Sequence, residues 1–80
     1  MKYTTVSLVK KNTVTNKAKT IISGLMPSYA AIRNYLDEHE AHYSHGVGDN
    51  PDEHVYSVFV SDKEPGIEYH LHVTTVDSDL

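Results

Sequence analysis

Two stretches of alternating apolar and polar residues flank one stretch with a helical period. Tyr3 to Val9 is rich in β-branched residues, with Thr4, Val6 and Leu8 on one side and Tyr3, Thr5 and Ser7 on the other. This pattern predicts a strand. The polar segment 10–16 holds two asparagines suited to a turn. Lys17 to Ser23 then resumes a strand with Ala18, Thr20 and Ile22 on one side, completing a hairpin over about 2–23. Pro27 and Ser28 open a helix predicted over about 28–43, with serine as the cap. Tyr29, Ile32, Leu36, His39 and Tyr43 recur at steps of three and four and form its packing stripe.

Residues 44–53 hold two glycines and an Asn-Pro step, which predicts an acidic loop. Beyond it, Val55 to Ser61 reads as an inner strand, with Tyr56, Val58 and Val60 on one face and Val55 and Phe59 on the other. Pro65-Gly66 matches the middle of a type II turn. In the last strand Ile67, Tyr69, Leu71 and Val73 face inward while Glu68, His70, His72 and Thr74 face out, so a C-terminal hairpin runs over about 54–76. The predicted fold is α+β: a two-layer ββαββ arrangement, a four-stranded, mainly antiparallel sheet with one helix on one face, forming a single domain over 1–80. Phe59 and Val55 are expected on the uncovered face beside His70 and His72, where a second copy could pack to make a homodimer.

Composition narrows the chemistry. The chain has 80 residues and no cysteine, which removes disulfides, thiol catalysis and Cys-ligated metal sites, and fits a reducing compartment. The amino terminus lacks the apolar run of a secretory signal and no stretch approaches the length of a membrane span. The expectation is a soluble, cytoplasmic protein with no membrane contact. Charge is segregated along the chain: six of the 7 Lys and Arg residues precede residue 37, whereas all 11 Asp and Glu residues follow Leu36 and leave Lys63 as the sole base there. The two halves either pack against each other through opposite sign or meet different partners.

Three sets of residues could carry function. Asp37, Glu38, Glu40, Asp49, Asp52 and Glu53 make an acidic surface from the helix end through the loop, suited to a basic partner. Lys10, Lys11, Lys17 and Lys19 gather on the first hairpin and are the candidate nucleic-acid contact. His70 and His72 alternate on one strand face and, joined by His54, are the candidate ligands of a divalent metal. Glu68, His70 and His72 on one face would also permit acid–base chemistry. No nucleophile motif or enclosing cleft is legible, so the expected protein is not an enzyme and needs no cofactor.

A short, cysteine-free, acidic single domain with an exposed sheet is similar in general style to small accessory proteins encoded by phages and mobile elements. That resemblance implies a regulator or inhibitor that binds a host protein or nucleoprotein complex by stoichiometric contact.

Overall fold

The computed structural model describes residues 1–48 and 54–77. The chain runs through β1 (Lys2–Asn12), β2 (Lys17–Leu25), a single 3-10 turn (Met26–Ser28), α1 (Tyr29–Glu38), β3 (His42–Val47), β4 (His54–Val60) and β5 (Ile67–Asp77). The fold is α+β with one helix against an antiparallel sheet. Among the described residues the sheet has five strands in the order β2-β1-β5-β4-β3, one more than the sequence pattern predicts.

The additional strand comes out of the predicted helix and loop. The helix stops at Glu38 because the next residues form a closed C-terminal cap: Glu40 adopts φ 52°, its N–H donates to the Asp37 carbonyl at 3.1 Å, and the Ala41 N–H donates to Leu36 at 2.9 Å. These are the paired bonds of a Schellman motif, with glutamate in the left-handed position that glycine usually takes. Tyr43 therefore leaves the helical stripe and becomes a strand residue opposite Phe59, their rings 5.9 Å apart and edge to face. Ser28 makes no side-chain cap bond either. It packs over β2, where a Cβ at Gly24 would come within 2.5 Å of its hydroxyl oxygen.

Glu40 makes a testable point of this cap. Glycine at position 40 removes the steric cost of the left-handed conformation, about 1–2 kcal/mol, and gives back part of it in unfolded-chain entropy. The Glu40–Lys63 ion pair that is lost joins two exposed side chains and contributes little. Glu40→Gly is expected to raise the melting temperature by a few degrees, whereas Glu40→Ala, which keeps the strain, does not. Equal melting of the two variants would remove the strain argument.

The core lies between α1 and one sheet face. Ile32 and Leu36 of the helix are buried against Val6, Leu8, Phe59, Tyr69 and Leu71, with Ile22, Tyr29, Tyr35 and Val73 around them. Phe59 pairs with Tyr69, and Val55 with Val73, so both lie on the helix side. This corrects their expected place beside His70 and His72, whose face instead carries Tyr56, Val58 and Val60. A bulge between Leu8 and Val9 on the β1–β2 pair also splits the expected β2 face: Ile22 stands opposite Leu8, but Thr20 and Ala18 stand opposite Val9 and Lys11 on the other side.

Two turns close the same end of the sheet. The Asn12 side-chain oxygen accepts the N–H groups of Val14 and Thr15 at 2.9 and 3.1 Å, an Asx-type turn. Across from it, Pro65-Gly66 forms the predicted turn, with Gly66 at φ 81° and the Ile67 N–H donating to Glu64 at 3.1 Å. The backbone N–H and the hydroxyl of Thr13 each donate to the Gly66 carbonyl at 2.8 Å, tying the turns together.

Candidate functional site

Segregation of charge along the chain does not survive folding. Antiparallel pairing of β1 with β5 sets Lys2 opposite Asp77 and Lys11 opposite Glu68, and the terminal amine lies 3.5 Å from Asp77. The four hairpin lysines divide as well. Strand alternation from buried Leu8 puts Lys10, together with its partner Lys19, on the helix side, and Lys17 follows through its partner Asn12. Lys11 alone points to the open face.

Of the acidic set, Asp37 and Glu38 are exposed in the last turn of α1, with Arg33 at 4.0 Å from Asp37. Glu40 pairs with Lys63 at 2.5 Å. Asp49, Asp52 and Glu53 lie outside the described residues. The structure brings Asp37, Glu38 and Glu40 together with the β4–β5 turn, which carries Asp62 and Glu64 as well as Lys63.

That helix end is tied down by a half-buried polar knot around the buried Tyr69, absent from the sequence reading. The Tyr69 hydroxyl donates to Glu64 Oε2 at 2.6 Å, and His39 Nδ1 lies 3.4 Å from Glu64 Oε1 and 3.3 Å from the Tyr69 oxygen. Because the tyrosine proton goes to Glu64, His39 carries its proton on Nδ1 and shares it between both oxygens. Tyr35 stacks on His39 at 4.2 Å. The Tyr69 hydrogen bond, with help from His39, holds the Glu64 carboxyl below its usual value against the opposing effect of burial. Burial and the bond to Glu64 push the Tyr69 hydroxyl far up.

The open face carries a second cluster. His70 Nε2 donates to Glu68 Oε1 at 3.2 Å, and its Nδ1 is hydrogen-bonded to the Tyr56 hydroxyl. Tyr56 also packs on His72, ring centroids 4.1 Å apart, and His72 Nδ1 is 3.1 Å from His54 Nε2. Burial holds the His72 imidazole below its ordinary value, and the neighbouring His54 and His70 add to this. Val58, with His45 and His70 as cross-strand neighbours, is 1% exposed, so this face is partly covered by its own side chains.

The three candidate metal ligands thus share one cluster, but both His70 nitrogens bond Tyr56 and Glu68, and one nitrogen each of His54 and His72 is taken up in the bond between them. Among the described residues no three His, Asp or Glu side chains converge on a point that could hold a metal ion. Beside the cluster is an open pocket of about 220 Å³ lined by Val9, Lys11, Ala18, Tyr56, His70 and His72. Sequence reasoning found the two histidines and Lys11 in separate sets. It missed Tyr56 as a partner, because only strand register makes them neighbours. No helix among the described residues is long and apolar enough to cross a membrane. No protein-family model, curated protein or solved structure matches the chain.

Proposed function

We propose that this chain is a non-enzymatic binding module, a regulator or inhibitor of phage or mobile-element type. In this reading it grips a basic surface of a host protein or nucleoprotein complex through Asp37, Glu38 and Glu40 at the helix end. The supporting observation is a cost. Asp37 and Glu38 sit in the C-terminal turn of α1, which has no basic residue of its own; Arg33, one turn back, reaches Asp37 at 4.0 Å, but the helix dipole disfavours negative charge there by about 0.3–1 kcal/mol each. Charges kept where they weaken the fold suit a contact made outside it. The hydrogen bonds among Tyr69, Glu64 and His39 tie this end to the sheet, and such preorganisation lowers the ordering cost of association.

Charge reversal separates fold from contact. Asp37→Lys with Glu38→Lys is expected to melt no lower than the wild type, since the dipole now favours the new charges, and to lose the partner that the wild type captures from its native host. Lys17→Glu, exposed at the start of β2 and away from the knot, is the matched control and keeps that partner. Retention of the partner by the double variant would overturn the reading.

A further inference from the structure

We propose that the open-face pocket is a binding site for a nucleobase that carries a phosphate. The pocket is about 220 Å³, below the roughly 300–1,000 Å³ of sites for drug-sized ligands, and so suits one planar ring system. Its apolar floor is Val9 and Ala18 from the first hairpin, and its aromatic wall is Tyr56 with His72. Stacking of a base on such a wall contributes about 1–3 kcal/mol and is open to any base.

The wall is set before a ligand arrives. The Tyr56 hydroxyl is held by His70, His70 by Glu68, and His72 by His54. The phosphate end is assigned by Lys11, which lines the same pocket. Glu68 stands opposite Lys11 in the strand register, yet its carboxylate is bonded to His70. Among the described residues no carboxylate lies within ion-pair distance of Lys11. One cation beside one aromatic wall matches one nucleotide. A long polyanion is opposed by the net charge of −4 and by the placement of Lys10, Lys17 and Lys19 on the opposite face. The site is independent of the acidic helix end, which lies on the other side of the sheet.

The test is a set of titrations followed by backbone amide chemical shifts: AMP, adenosine, ribose 5-phosphate and a short single-stranded oligoadenylate. AMP is expected to give saturable shifts at Val9, Lys11, Tyr56, His70 and His72, with adenosine and ribose 5-phosphate each weaker. Lys11→Gln is expected to weaken AMP while leaving adenosine unchanged. Tyr56→Leu is expected to weaken both by about five- to a hundredfold, the size of one lost base stack.

If the leucine variant fails to fold, the Lys11 comparison still decides. Oligonucleotide binding no tighter than that of AMP supports a site for one nucleotide, whereas tighter binding of the oligonucleotide overturns that assignment in favour of a single strand. Absence of saturable shifts with AMP and with the oligonucleotide overturns it, as does ribose 5-phosphate binding as tightly as AMP or Lys11→Gln leaving AMP affinity unchanged. The Asp37→Lys, Glu38→Lys variant keeps AMP binding if the two surfaces are separate, so failure of the partner reading does not decide this one.

Discussion

Leu8→Ala is expected to leave little folded protein at room temperature. Leu8 is 0% exposed at the middle of β1, between Ile22 and Leu71 on the neighbouring strands and within the cluster that includes Ile32 and Leu36. Truncating a leucine in such a site costs about 2–5 kcal/mol, through lost transfer free energy and the cavity left behind. A domain of this size has roughly 3–5 kcal/mol to lose. Urea titration followed by far-UV circular dichroism reads the result directly: the variant should lack a native baseline or unfold at the lowest denaturant concentrations. Val14→Ala, on the exposed hairpin tip, is the control and should match the wild type. An alanine variant at position 8 that unfolds with the wild-type midpoint would place the core elsewhere.

Tyr69→Phe is expected to cost about 1.5–3 kcal/mol, the range for a hydrogen bond to a charged group, and to change how stability depends on pH. Tyr69 is completely buried and its hydroxyl is bonded to the Glu64 carboxylate. Glu64 is held below its ordinary value of 4.5. The folded state therefore binds fewer protons there, so its contribution is complete above pH 4.5 and is lost as pH falls through the depressed folded value. Tyr69 is shifted the other way from its ordinary value of 10.0. The folded chain keeps a proton that the unfolded chain releases, so this contribution is complete below pH 10 and is lost as pH rises beyond it. The wild-type melting temperature should fall at both ends, and the difference between wild type and Tyr69→Phe should shrink at both ends. A difference that stays constant across the range would show that the hydroxyl acts through packing alone.

Several elements were legible because their signals are local. The β1 and β5 faces follow from alternation, the type II turn from Pro65-Gly66, and the start of the helix from Pro27. The helix end was not legible. Tyr29, Ile32, Leu36, His39 and Tyr43 continue the helical period smoothly, and no glycine marks the stop, because Glu40 takes the left-handed position. β3 was hidden for the same reason: His42–Val47 has one β-branched residue and a glycine, and owes its conformation to pairing with β4. The placement of Phe59 failed because alternation along β4 says which residues share a face, not which face meets the helix.

The candidate sites divide in the same way. That Glu68, His70 and His72 share a face could be read directly, since residues two apart on a strand point the same way. That Tyr56 and His54 join them from β4, and Lys11 from β1, depends on register between strands far apart in sequence.

Residue identity by itself determined an α+β chain with a hairpin at each end, an acidic helix terminus, and no cysteine chemistry. Tertiary structure decided which strands lie side by side, and hence that basic and acidic halves interleave and that Lys11 stands beside Tyr56 and His72. The physical reason is that dihedral preference and alternation act over a few residues. Strand order and register are instead chosen by the burial of Leu8, Tyr69 and their neighbours beneath α1, a demand that no single segment can meet alone.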